Sequence, residues 1–176
     1  GDLAIAIAKR CDRTHILGID LSEEMLAVAR AKVQRQGLEG RVMLQKGDAE
    51  QLTTVADESV DAVTVAFGVR NFENLEKGLG ELYRVVRKGG IVVILEFSTP
   101  RNRLVRWAYH QYSDRLIPSI GAMISNDRKA YTYLPESVKE FPEPERFIEL
   151  LNKVGFERVC RRQQSCGIAQ IYIATK

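Results

Sequence analysis

An α/β fold is expected, with a mostly parallel sheet wound by helices on both sides and closed by an antiparallel pair at its C-terminal end. Three observations predict it. Short apolar, β-branched runs alternate with longer segments of helical periodicity. One of those runs, His15 to Asp20, ends in a carboxylate and passes straight into a helix start. The last two runs are separated by too few residues for the crossover that parallel pairing requires.

Composition agrees with one ordinary globular domain over 1–176, with 45% hydrophobic and 28% charged residues. The net charge of +3, from 26 basic and 23 acidic residues, argues against a nucleic-acid partner bound by the whole surface. No apolar run approaches the ~18 residues of a membrane span, and no signal peptide is seen. Cys11, Cys160 and Cys166 form no ligand-spaced cluster and read as reduced thiols, a cytoplasmic pattern. His15 and His110 are too scattered to suggest a metal site.

Leu3 to Arg10 reads as a helix. It follows Gly1-Asp2 directly, as though the chain began inside a glycine-rich loop whose preceding strand is missing; an N-terminally truncated polypeptide is expected. His15 to Asp20 is a strand, and its apolar character suggests burial on both faces. Ser22 is a suitable N-cap for a helix running to about Gln36, with Met25, Leu26, Ala29 and Val33 on one face and Gly37 as its stop. Val42 to Gln45 and Ser59 to Phe67 are the next strands. Glu73 to Arg87 has helical periodicity, weakened by Gly78 and Gly80. Lys88-Gly89-Gly90 should then turn the chain into the central strand Ile91 to Phe97. The alternation breaks from Ser98 to Pro142, an insertion with its own helix. Glu143 to Val154 is helical, and Glu157 to Arg162 and Ile168 to Thr175 form the closing pair, with Cys160 and Cys166 expected to be buried.

Asp20, Asp48-Ala49 and Gly68-Val69-Arg70-Asn71 all follow predicted parallel strands, so they should meet at one crevice along the C-terminal sheet edge. A carboxylate at Asp20 suits a ribose diol, although a loop-capping role fits that residue alone equally well. Asp48 can accept from an exocyclic amine, and the Ala49 N–H can donate to a ring nitrogen. Together these describe an adenosine pocket. Dinucleotide enzymes share half of it. The absence of a second mononucleotide-binding half and the closing antiparallel pair favour S-adenosylmethionine (SAM) as cofactor.

Several segments carry a more specific signal: Asp20-x-Ser22-x-x-Met25-Leu26, Gly47-Asp48-Ala49-Glu50, Phe67-Gly68-Val69-Arg70-Asn71, Tyr83 to Gly90, Leu95-Glu96-Phe97-Ser98, and Tyr131-x-Tyr133-Leu134-x-x-Ser137. On these the chain resembles the SAM-dependent C-methyltransferases of ubiquinone and menaquinone synthesis. The resemblance implies a Rossmann-like class I methyltransferase fold that lacks its first strand and glycine-rich loop here. It departs in having Arg87-Lys88-Gly89-Gly90 for Lys-Pro-Gly-Gly, and Ala66 where a small polar residue is frequent.

The implied reaction is methylation of a ring carbon ortho to the phenol of a polyprenylated quinol, demethylmenaquinol or the benzoquinol of the ubiquinone pathway. It requires alignment and stabilisation of a phenolate, and no metal. Arg70 is the catalytic candidate for that anion, directly or through a water; a loop anchor is its alternative role. Asp20, Asp48, Ala49, Ala66 and Asn71 form the cofactor set, with Asn71 fixing the loop or touching the methionine moiety. Glu96 reads at least as well as a hydrogen-bonding partner within the fold. Tyr131, Tyr133 and Asn126 are candidates for the quinol-ring pocket.

In the insertion, Val105, Ala108, Tyr109, Tyr112 and Leu116 recur at helical spacing beside Arg101, Arg103, Arg106, Trp107 and Arg115. This fits an ordinary amphipathic helix or a peripheral contact with an anionic bilayer, where a polyprenyl tail is reached. A homodimer is compatible with the resemblance. Two other functional readings are a methyltransferase for a different small lipid or phenol, and a non-catalytic scaffold that keeps only the fold.

Overall fold

The structure, a computed structural model, describes residues 1–100, 137, 138 and 140–176. Most of the expected insertion, with Asn126, Tyr131, Tyr133, His110 and the aromatic and basic residues of its helix, lies outside the described residues. The chain divides into two compact units, Gly1–Val55 and Ala56–Lys176.

In the first unit, α1 (Asp2–Arg10), β1 (Ile16–Asp20), α2 (Glu23–Arg35) and β2 (Val42–Lys46) follow one another. Strands β1 and β2 pair in parallel, from Ile16 opposite Val42 to Asp20 opposite Lys46. The start of α2 is built as the sequence suggests. The Ser22 hydroxyl accepts from the Met25 N–H at 3.1 Å, and Glu23 and Glu24 occupy the first turn, where the helix dipole favours negative charge. The Glu24 carboxyl is held below its ordinary range by local backbone and Ser22 hydrogen bonds. Beyond the helix Gly37 takes a left-handed φ of 63°.

Ala8, Val33, Leu38 and Val42 form the core of this unit, with Ala4, Ile5, Ile16 and Leu44 packed around them. Arg41 closes the end of α1, donating from Nη2 to the carbonyls of Ala8 and Cys11. Two expectations are corrected here. Strand β1 is not buried on both faces: Leu17 is 40% exposed and its register partner Met43 68% exposed. Side chains alternate along a strand, and the core cluster takes only the Ile16 and Leu44 side. Met25 is 58% exposed; the buried stripe runs through Leu26, Ala29 and Val33, and Met25 lies about 100° round the helix from Leu26.

The second unit holds a four-stranded sheet in the order β3-β4-β6-β5, with β3 at Val60–Ala66, β4 at Val86–Phe97, β5 at Glu157–Gln164 and β6 at Ala169–Thr175. β3 and β4 are parallel. β6 lies antiparallel to β5, as their short connection demands, and also antiparallel to β4; β4 is internal as expected. Helix α3 (Leu75–Val85) starts at Asn74, whose side chain accepts from the Lys77 N–H. The sequence extends this helix to Arg87, but Val86 already has extended backbone angles and begins β4. The expected turn at Lys88 to Gly90 is instead an irregularity within the strand. Val60 pairs with Val86 and Ala62 with Ile91, so residues 87 to 90 stand opposite Asp61 alone. Gly90 is needed there because a Cβ would sit 2.7 Å from the Asp61 carbonyl oxygen.

Gly78 and Gly80 differ in kind. A Cβ at Gly78 would overlap the Phe72 ring, whereas one at Gly80 would meet nothing within 4 Å. The first glycine serves close packing, and the second has no packing reason.

Helix α4 (Pro144–Val154) has proline in its first turn, where no N–H is needed, and ends at Gly155 with φ 120°. It buries Phe147, Leu150 and Leu151. Phe147 meets Tyr172 edge-on at 4.7 Å between centroids and Phe141 at 4.9 Å. Cys160 and Cys166 are exposed, not buried. Cys160 is on β5, an edge strand with mostly exposed residues, and Cys166 has a positive φ of 54° in the turn before β6. Among the described residues no helix is long and apolar enough to cross a membrane.

Tyr172 is 1% exposed, and burial pushes its phenol above the ordinary value of 10.0. The folded state therefore holds the proton more tightly than the unfolded chain. The resulting stabilisation is complete below pH about 10 and falls as pH rises toward the folded value. In an alkaline titration, the phenolate absorbance of one tyrosine should appear together with loss of helical circular dichroism. Its appearance while the fold is intact would contradict this burial.

Candidate active site

The residues singled out in the sequence fall in both units, and each group has its own geometry. In the first unit Asp20 closes β1 with an exposed side chain. Its Oδ1 accepts from the Ser22 N–H at 2.9 Å, so the loop-capping role is real. Its Oδ2 has no partner among the described residues. Asp48 repeats the arrangement two residues beyond β2, with Oδ1 accepting from the Glu50 N–H at 2.8 Å. The Ala49 N–H donates to nothing among the described residues. Two exposed carboxylates with a spare oxygen each, and one uncommitted amide beside the second, form a donor and acceptor set suited to a nucleoside.

In the second unit Ala66 ends β3 opposite Leu95. Phe67 follows with φ 57°, a left-handed angle rare for an aromatic residue. Its N–H is held by the Leu95 carbonyl at 2.8 Å, and its ring stacks on Phe97 at 4.3 Å. These contacts hold the backbone in a conformation costing about 1–2 kcal/mol. They also lead directly into a short 3-10 turn, Val69–Asn71. Val69 is 1% exposed and anchors that turn in the core, leaving Arg70 and Asn71 beyond the strand end.

Arg70 is the centre of this arrangement. Its Nη1 donates to Glu96 Oε1 at 2.8 Å and to the Phe67 carbonyl at 2.6 Å. Its Nε donates to the Ser137 hydroxyl at 3.3 Å, and its guanidinium lies 5.4 Å from the Phe97 ring centroid. The Arg70 backbone N–H also donates to Glu96, at Oε2. The Arg70 side chain is 10% exposed and that of Glu96 is fully buried. A guanidinium has five N–H donors. The single Nε donor and both Nη1 donors are engaged, while the two on Nη2 are uncommitted among the described residues.

Three segments distant in sequence are thus joined. Phe67 to Asn71, Leu95 to Ser98 and Ser137 meet through one ion pair, one aromatic stack and one hydroxyl. Behind them, the Ser98 hydroxyl donates to the Gly167 carbonyl and accepts from Gln170 Nε2. The sequence singled out Arg70 but left Glu96 undecided and gave Ser137 no role. Their signal was present in the motifs that contain them, and only the fold shows what they hold.

The family model described as the ubiE/COQ5 methyltransferase family matches residues 1–176. The chain belongs to this family. Its relatives include a demethylmenaquinone methyltransferase of Bacteroides fragilis, 42% identical over all of this chain and 71% of that protein. A ubiquinone/menaquinone biosynthesis C-methyltransferase UbiE of Geobacter sulfurreducens is 43% identical over all of this chain and 68% of its own length. Among solved structures, the [4+2]-cyclase SpnF aligns with a TM-score of 0.73 at 19% identity, over 98% of this chain and 70% of that one. A SAM-dependent methyltransferase from Aquifex aeolicus aligns with a TM-score of 0.62 at 19% identity, over 91% and 68%. At that identity the two structures establish the α/β fold alone. In this ubiE/COQ5 family chain, three of the segments that carried the resemblance, Phe67 to Asn71, Leu95 to Ser98 and the one ending at Ser137, have residues joined at Arg70.

Proposed function

We propose that the protein is a SAM-dependent C-methyltransferase whose acceptor is a polyprenylated quinol, demethylmenaquinol or the corresponding benzoquinol. The observation that carries this reading is the Arg70 guanidinium, gripped on its Nε and Nη1 side and, among the described residues, uncommitted at Nη2. The relatives named for quinone methylation support the acceptor class.

The donor set at the ends of β1 and β2 fits the nucleoside part of SAM. Asp20 takes the ribose hydroxyls through its free oxygen, Asp48 the adenine amine, and the Ala49 N–H a ring nitrogen. Ala66 and Asn71 are assigned to the methionine end. When bound, SAM supplies a methyl group activated by its sulfonium. Arg70 directs the Nη2 N–H groups at the quinol oxygen ortho to the carbon that accepts the methyl, stabilising the phenolate that makes this carbon nucleophilic. The phenol proton leaves to solvent, directly or through an Arg70-bound water, and once the methyl is on the ring carbon the hydrogen it displaces is lost from that carbon as the phenol oxygen is reprotonated and the ring regains aromaticity. Asn126, Tyr131 and Tyr133 are assigned to the ring pocket. A polyprenyl tail brings the substrate to a bilayer, so peripheral contact at the cytoplasmic face through the 98–142 insertion belongs to the same proposal.

The test is methyl transfer from labelled SAM to reduced demethylmenaquinone by the full-length protein. Label in the quinone is the expected result. SAM binding without label would redirect the search to another lipid or phenol, and neither binding nor label would favour a scaffold. Asp20→Asn keeps an acceptor for the Ser22 N–H but removes the charge. It should weaken SAM binding on the order of 10- to 100-fold in calorimetry with little change in thermal stability. Unchanged affinity would remove Asp20 from the cofactor set.

A further inference from the structure

We infer that Glu96 is a positioning residue for the reaction, which sets the direction of the Arg70 guanidinium without itself touching the substrate. The inference rests on the Arg70 role proposed above and extends it.

Glu96 is fully buried near the end of an internal strand, an expensive place for a carboxylate. An ion pair there adds little net stability compared with well-packed apolar residues. Its geometry does something apolar residues cannot. Oε1 accepts from Arg70 Nη1 and the Phe97 N–H, at 2.8 and 2.9 Å. Oε2 accepts from the Arg70 backbone N–H at 3.1 Å. One carboxylate therefore fixes both ends of the same arginine, its backbone and its guanidinium.

The Phe67 carbonyl and the Ser137 hydroxyl occupy the adjoining donors. Phe97, next to Glu96 in sequence, supplies an aromatic ring beside the guanidinium. Since Nε and Nη1 are held, the planar group cannot rotate, and its two remaining donors keep one direction. A long, flexible cation is converted into a fixed anion-binding edge. Preorganisation of this kind raises the rate because no reorientation is needed as charge develops.

The positioning role predicts a particular kinetic pattern in the full-length protein. Glu96→Gln, nearly isosteric, should lower kcat by roughly 10- to 100-fold while leaving the KM for SAM and for the quinol within about twofold. Glu96→Asp keeps the charge with a shorter reach and should show a smaller loss of the same kind. In an Arg70→Ala background, Glu96→Gln should have no further effect on kcat, because there is no guanidinium left to direct.

An unchanged kcat in Glu96→Gln would overturn the inference. So would a loss that multiplies with that of Arg70→Ala, or one accompanied by raised KM values, since a merely structural residue would behave in those ways. If Arg70→Ala alone retains full kcat, the proposed role of Arg70 fails and the inference falls with it. If Arg70→Ala is impaired and Glu96→Gln is not, only the positioning role fails.

Discussion

Arg70→Ala should lower kcat by about 100- to 1000-fold and also destabilise the fold by roughly 3–5 kcal/mol. The second effect follows from burial. Glu96 has no exposed surface, and Arg70 is its ion-pair partner. Removing the guanidinium leaves a buried carboxylate that, among the described residues, keeps only the N–H groups of residues 70 and 97. A loss of turnover in this variant could therefore be attributed to partial unfolding.

The double variant Arg70→Ala with Glu96→Gln separates the two effects. Neutralising the stranded carboxylate should recover part of the lost stability in urea unfolding and none of the lost turnover. SAM affinity should stay near the wild-type value in both variants. Wild-type stability in Arg70→Ala would show that the pair is not a buried one. Recovery of turnover in the double variant would show that Arg70 acts on stability alone.

Phe147→Ala should cost roughly 3–5 kcal/mol, the range expected for removing a fully buried aromatic side chain. Phe147 is 0% exposed on the inward face of α4, edge-on to Tyr172 and tilted against Phe141. The lost volume lies between a helix and an internal strand, so neither backbone can collapse to fill it easily. The aromatic pairing adds about 0.5–1.5 kcal/mol beyond the area buried. Thermal or urea unfolding measures the change. Phe147→Leu, which keeps most of the volume, should cost clearly less. A loss below 1 kcal/mol for the alanine variant would mean that α4 does not depend on this contact.

Much of the fold was legible because the signals were local. Ser22 caps α2 where its hydroxyl reaches the Met25 N–H, Gly37 stops that helix, and Pro144 and Gly155 bracket α4. Each depends on a few adjacent residues and elementary backbone sterics. The antiparallel relation of β5 and β6 follows in the same way from a connection too short to cross over.

The misjudged positions depend on what lies across from a residue. The apolar run of β1 resembles a doubly covered strand, but Leu17 and Met43 are exposed. Cys160 and Cys166 are exposed because one lies on an edge strand and the other in a turn. Helical periodicity continues through Val86, yet pairing with Val60 takes that residue into β4.

By itself the sequence determined the order of elements, the helix ends and the motif residues, because periodicity, capping and turn chemistry act over a few neighbours. The tertiary structure decided which faces are covered. It also decided that Arg70, Glu96, Phe97 and Ser137 form one assembly. The physical reason is that burial and a shared hydrogen-bond partner are properties of distance in space, and Arg70 reaches Glu96 and Ser137 only after β3 and β4 have paired and the chain has returned to them.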